Sequence, residues 1–147
     1  MQLRIWKCGP VLLGSIALLV GTTSPARASD TSFFVEFVHD GGAGAIGAET
    51  SGGITWFNRS VSLTNVQLFV HAGECADIDA RAYFRNNNSW VQVASQVVQA
   101  CNSTSAGVTF SVQDLGFDCG AIVGGCGKVQ VFVIDEVHGI AENDYFR

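Results

Sequence analysis

The chain has 147 residues, 48% of them hydrophobic and 14% charged, with a mean hydropathy of +0.29. This excludes the low-hydrophobicity, high-charge signature of a disordered chain. Beyond Ala28, five basic residues (Arg59, Arg81, Arg85, Lys128 and Arg147) face thirteen acids from Asp30 to Asp144, a net charge of −8. That balance disfavours nucleic acid and anionic membrane as partners, because both require Lys and Arg to neutralise phosphate.

At the N-terminus, Arg4 and Lys7 precede an apolar run from Val11 to Val20. Its length of about ten residues suits a signal-peptide core and falls well short of the roughly 20 that a spanning helix needs. Ala26-Arg27-Ala28 supplies the small-x-small pattern of a signal-peptidase site, with Pro25 just before it. The predicted organisation is therefore a signal peptide at 1–28, removed on export, and a single secreted, extracellular domain at 29–147. Cleavage removes Cys8 and leaves Cys75, Cys101, Cys119 and Cys126. An even number in an oxidising compartment reads as two disulfides, with all three pairings open on spacing alone. No Cys-x-x-Cys is present, which argues against a redox motif or zinc knuckle.

Past the signal, apolar residues alternate with polar ones at period two in short runs separated by Gly, Asn and Ser, the pattern of half-buried strands. The first two predicted strands are Phe33 to Val38 and Ile54 to Asn58, with the Gly-rich stretch 41–53 between them reading as a surface loop. The third, Leu63 to His71, alternates Val66, Leu68 and Val70 with Gln67, Phe69 and His71. The fourth, Ile78 to Arg85, places Ile78, Ala80, Ala82 and Phe84 on one face and Asp79, Arg81, Tyr83 and Arg85 on the other. Asn86-Asn87-Asn88 tolerates left-handed backbone, so a hairpin should lead into the fifth strand, Trp90 to Val98. The sixth is Val108 to Gln113. The seventh, Val129 to Val137, is the most hydrophobic and so the candidate for a central position. About seven short strands without an amphipathic helix predict an all-β fold, a two-sheet antiparallel β-sandwich of immunoglobulin-like or Greek-key order. A small closed barrel is the runner-up.

If consecutive strands run antiparallel, loops leaving odd-numbered strands share one end of the sandwich and loops leaving even-numbered strands share the other. Cys75 and Cys101 then fall at the odd end, and Cys119 and Cys126 share one loop at the even end. The pairing Cys75–Cys101 and Cys119–Cys126 follows. His39, His71 and His138 also all fall at the odd end, near Asp40, Glu74, Asp77 and the Asp135-Glu136 pair. Imidazoles beside carboxylates suit zinc or copper. Glu74, Asp77 and Asp79 around Cys75 offer hard oxygens that suit calcium, although the Asp-x-Asp-x-Asp-Gly loop is absent.

Tyr83 and Trp90 are candidate platforms for stacking on sugar rings, whereas Trp56 is expected in the core. Catalytic signals are weak. There is no Gly-x-Ser-x-Gly elbow and no phosphate-cradling loop, and carboxylate pairs such as Asp114 with Asp118 read as surface solubility. The sequons at Asn58, Asn87 and Asn102 matter only in a glycosylating host.

The run Ile54-Thr55-Trp56-Phe57-Asn58-Arg59-Ser60-Val61 resembles a stretch shared by small secreted bacterial β-rich proteins of uncharacterised function, in which an aromatic pair precedes Asn-Arg-Ser. The resemblance implies a small, secreted, β-rich protein and carries no activity. Arg59 there either anchors a corner by bonding carbonyls or presents its guanidinium to a partner. The leading expectation is a secreted non-catalytic binding domain that requires no cofactor and engages an extracellular protein or glycan, as hydrolase inhibitors do. The alternatives are a metal-binding protein or metal-dependent hydrolase using His39, His71 and His138, and a carbohydrate-binding module.

Overall fold

The computed structural model describes residues 27–39 and 45–147, with side chains from Asp30 onward. The expected export segment up to residue 26, and Asp40, lie outside the described residues. Among the described residues nine strands form: β1 (Arg27–Val38), β2 (Ile46–Phe57), β3 (Ser60–Val70), β4 (Cys75–Asn86), β5 (Ser89–Cys101), β6 (Val108–Ser111), β7 (Leu115–Asp118), β8 (Lys128–Asp135) and β9 (Gly139–Phe146). They build two antiparallel sheets, β1-β2-β3-β6 with β7 also on β3, and β5-β4-β8-β9. The fold is an all-β sandwich, as the alternation predicts. Strands β3 to β6 follow the Greek-key order, in which β6 returns to lie beside β3 after the β4–β5 hairpin.

The core is the sum of the inward-facing registers. Ala76, Ile78, Ala80 and Ala82 of β4 and Val129, Val131 and Val133 of β8 pack against Ile54, Trp56, Val61, Leu63, Val66, Leu68 and Val70, all 0–1% exposed. Small alanines on β4 make room for Trp56 and the leucines opposite, so that large and small residues interdigitate. On β3 both Leu63 and Val66 face inward although three positions separate them, which strict alternation forbids. Asn65 resolves this with a left-handed φ of 52° and a shift in pairing. The Asn65 amide donates to Asp114 Oδ1 at 3.0 Å, in the segment that separates β6 from β7. The sixth expected strand ends early, at Ser111, and a further strand follows it along the same neighbour: β6 pairs residues 67–70 of β3 and β7 pairs residues 60–63, both in the same direction.

Three corrections to the sequence reading follow. β2 begins at Ile46, so much of the expected Gly-rich loop is strand. Gly52 is required there because a Cβ would lie 2.7 Å from the Phe33 ring and 2.8 Å from the Thr64 carbonyl. β7 and β9 are additional strands; β9 is polar along most of its length because it forms a sheet edge. β8 is central, as expected, but its outward residues Phe132 and Ile134 are only half-buried, with the Arg81 guanidinium 4.4 Å from the Phe132 ring centre.

Because β6 and β7 run in one direction, the expected alternation of loop ends survives the higher strand count. Cys75 and Cys101 face each other across β4–β5 and form one disulfide; Cys119 and Cys126 form the other. The Asn86–Ser89 hairpin closes as expected, with Asn87 at a φ of 54°.

Candidate metal centre

Four side chains meet at the end of the sandwich where β1, β3 and β8 terminate. His39 follows β1, Glu74 precedes β4, Asp135 closes β8 and His138 lies in the turn to β9. One ligand atom from each lies within 4.8 Å of every other. His39 Nε2 is 2.9 Å from Asp135 Oδ2 and 3.5 Å from Glu74 Oε2. His138 Nδ1 is 3.2 Å from Asp135 Oδ1 and 3.8 Å from Glu74 Oε1. Tetrahedral ligands on zinc at its usual bond lengths stand about 3.3 Å apart, and each imidazole nitrogen lies near that spacing from one oxygen of each carboxylate.

Local chemistry holds each group in place. Asp135 Oδ1 accepts from the amides of Val137 and His138, at 3.0 and 3.1 Å, which closes the β8–β9 turn and fixes the carboxylate. Burial is the largest single influence on Asp135 and opposes its charge. Hydrogen bonds from the His39 ring, the Val137 amide and the His138 ring and amide together outweigh it and hold the carboxyl below its ordinary pKa. It is therefore ionised, as a ligand must be.

Two further residues shape the site without entering it. Gly47 of β2 is buried, and a Cβ there would lie 2.5 Å from two His39 ring atoms and 2.6 Å from Asp135 Oδ2. Glycine is what permits the His39–Asp135 approach. Asn102, 3% exposed, donates through its Nδ2 to the carbonyls of Val70, His71 and Ala106, at 3.1, 3.1 and 2.7 Å. Its amide also donates to the Glu74 carbonyl at 2.8 Å, so it ties the β3–β4 connection that carries Glu74. The sequon at Asn102 thus marks a structural clamp.

Of the residues expected to hold metal, His39, Glu74 and His138 come together. His71 packs beside them, its ring centre 5.2 Å from that of His39, but it is not one of the four. Asp77 and Asp79 stand apart, because odd-numbered positions of β4 face outward, away from the core that its even-numbered residues line. Asp79 bonds Arg81 Nε at 3.0 Å, and Asp77 interacts with Gln99 and Glu136. The calcium grouping of Glu74, Asp77 and Asp79 is divided accordingly. Asp135 completes the set; strand parity distinguishes it from Glu136, since it continues the inward register of Val129, Val131 and Val133.

The expected binding residues collect at the opposite end. Tyr83 donates to Gln130 Oε1 at 2.9 Å, and the Lys128 ammonium sits 4.3 Å from its ring centre. Trp90, 36% exposed, lies 5.8 Å from Phe146 and 5.9 Å from the Arg85 guanidinium. Arg59 anchors its corner through the main chain, its carbonyl accepting from the Cys119 amide at 2.7 Å.

Comparison with protein-family models, curated proteins and solved structures finds no match to this chain. Among the described residues no helix is long and apolar enough to cross a membrane.

Proposed function

We propose that the chain is an exported, disulfide-stapled domain that binds a borderline transition-metal ion, zinc or copper(II), through His39, Glu74, Asp135 and His138. One observation carries the reading: two imidazoles and two carboxylates, supplied by three separate segments, converge with one ligand atom from each within 4.8 Å of the others. Nitrogen donors favour zinc or copper over calcium, which takes oxygen ligands. A net charge of −8 beyond Ala28 draws cations towards the surface. Binding requires His39 Nε2 and His138 Nδ1 to present lone pairs, so uptake releases any proton these atoms carry.

The test is elemental analysis of untagged protein purified without chelator, followed by zinc titration of the stripped protein. The reading expects about one ion per chain, lost in His138→Ala, whose side chain is 39% exposed and whose removal leaves the core intact. His71→Ala should keep its metal. Equal zinc uptake by wild type and His138→Ala would end this assignment.

Glycan binding at the other end is the second reading, favoured by Trp90 standing 36% exposed beside Phe146. A Trp90→Ala variant that retains an oligosaccharide bound by wild type would remove it.

A further inference from the structure

Of the four ligands in the candidate metal centre, Glu74 is held differently from Asp135. Two main-chain amides fix the Asp135 carboxylate. Glu74 Oε2 is buried with no hydrogen-bond donor, and the imidazole nitrogens stand 3.5 and 3.8 Å from the Glu74 oxygens. A buried carboxylate oxygen without a donor carries a desolvation cost, so in the absence of an ion Glu74 gains by turning towards water. Its place in the site is set by its main chain.

That main chain is gripped at one point. The Glu74 carbonyl accepts from the Asn102 amide at 2.8 Å, and the Glu74 amide donates to the His71 carbonyl at a longer 3.3 Å. Cys75 follows Glu74, Cys101 precedes Asn102, and their disulfide joins the first residue of β4 to the last of β5. The bond thus lies one residue from the ligand on one strand and one residue from its clamp on the other. Strand ends open more readily than strand middles, and here a covalent link closes the last rung. Parity puts both sulfurs on the outer face with Asp77 and Gln99, whereas Glu74 turns inward to the imidazoles. Freed thiols would therefore face away from the ion and not replace its ligand.

The two disulfides also differ in access. Cys101 is exposed, whereas Cys119 and Cys126 are both buried. Thiolate attack needs a reachable sulfur, so a small dithiol reaches the first bond in the folded chain and not the second.

We infer that the Cys75–Cys101 disulfide is a redox gate on the metal site: the ion is held tightly only while the bond is closed, and is acquired after oxidation and released on reduction. The inference rests on the reading of His39, Glu74, Asp135 and His138 as metal ligands. A dithiol supplies the two electrons. It attacks the exposed sulfur, resolves the mixed disulfide and leaves as its own cyclic disulfide, while its two protons pass to Cys75 and Cys101 as thiols. Glu74 and Asn102 then lose their common anchor, and losses of ligand positioning of this kind weaken metal affinity roughly tenfold. Linkage makes the effect mutual: an ion bound tenfold more tightly by the oxidised chain makes that disulfide tenfold harder to reduce, a shift of about 30 mV.

The experiment measures both directions on the mature chain, with zinc as the probe. Zinc affinity, read by competition with a chromophoric chelator, should fall roughly tenfold when Cys75→Ser and Cys101→Ser are combined. It should stay within about twofold of wild type when Cys119→Ser and Cys126→Ser are combined, since that bond lies at the other end of the sandwich. In wild type, the oxidised fraction of Cys75–Cys101 in a dithiol redox buffer is read by alkylation and peptide mapping, with zinc activity fixed by a metal buffer. Its midpoint should move by about 30 mV between zinc-free and zinc-saturated protein, and this measurement needs no variant to fold. An unchanged or raised affinity in the folded Cys75 and Cys101 variant, or a midpoint that zinc does not move, would overturn the gate and leave the metal site standing. Oxidised wild type that takes up no zinc would overturn the metal reading and the gate with it.

Discussion

Gly47→Ala offers the most direct test of how the site is built. The position is buried within β2 and its φ lies outside the left-handed region, so alanine meets no backbone penalty. Reduced freedom of the unfolded chain should instead favour it by about 0.4–1 kcal/mol. The obstacle is space. The new methyl would lie 2.5 Å from His39 Nε2 and Cδ2 and 2.6 Å from Asp135 Oδ2, closer than such atoms can approach, so the His39–Asp135 contact must open. Asp135 is the less able to move, with a side chain 1% exposed and held by two backbone amides. His39 should therefore swing away, and losing a charge-assisted hydrogen bond to a buried carboxylate costs about 1.5–3 kcal/mol. The net expectation is a loss of about 1–2 kcal/mol, read as a fall in Tm of roughly 5–10 °C by circular dichroism with chelator present. Zinc affinity, measured by competition with a chromophoric chelator, should fall roughly 10- to 100-fold as one ligand is displaced. Gly116→Ala is the comparison, since its methyl would meet only Ser62 Oγ at an ordinary 3.8 Å and should be neutral or mildly stabilising. A Gly47→Ala protein with wild-type Tm and zinc affinity would refute the packing argument.

The remaining expectations concern the frame around the site. Non-reducing peptide mapping should recover Cys75 linked to Cys101 and Cys119 linked to Cys126; removing the first should cost about 3.5 kcal/mol and the second about 2.5 kcal/mol in denaturant unfolding, since the first closes the longer loop. Asn102→Ala withdraws the two Nδ2 hydrogens shared among three carbonyls at the β3–β4 and β5–β6 connections, and should lower stability by about 2–3 kcal/mol and weaken zinc binding together. Burial and the nearby Glu136 charge raise the pKa of Asp77 despite a hydrogen bond from Gln99. The folded state thus holds that proton more tightly than the unfolded chain, and the stability it contributes at low pH is lost as pH rises through the raised value. Asp77→Asn should accordingly stabilise at pH 7, by less than ~1 kcal/mol given solvent screening, with the gain vanishing near pH 3 in thermal melts.

Much of this architecture is legible in the alternation of side chains. The even-numbered face of β4 can only be a core face, since Ile78, Ala80 and Ala82 recur at the strand period, and the same register sends Asp77 and Asp79 outward. The error in grouping those two acids with the histidines came from counting proximity along the chain without applying that parity. Asp135 was reachable by the same rule, two positions beyond Val133 on the inward face of β8. β9 was less accessible, because an edge strand whose inward contacts fall largely to Ala141 and Tyr145 leaves little hydrophobic pattern to read. The first half of β2 was obscured by glycines that serve the neighbours' side chains instead of a turn.

Strand direction and side-chain period are local properties of the backbone, so the sequence by itself determined an all-β chain, the hairpin at Asn87 and the end of the sandwich to which each cysteine and histidine belongs. Distances between groups brought from separate strands depend on register, and register depends on how irregularities such as the one at Asn65 are absorbed by the strands beside them. Only the tertiary structure could therefore select His39, Glu74, Asp135 and His138 from the ionisable residues at that end and place Gly47 beneath them.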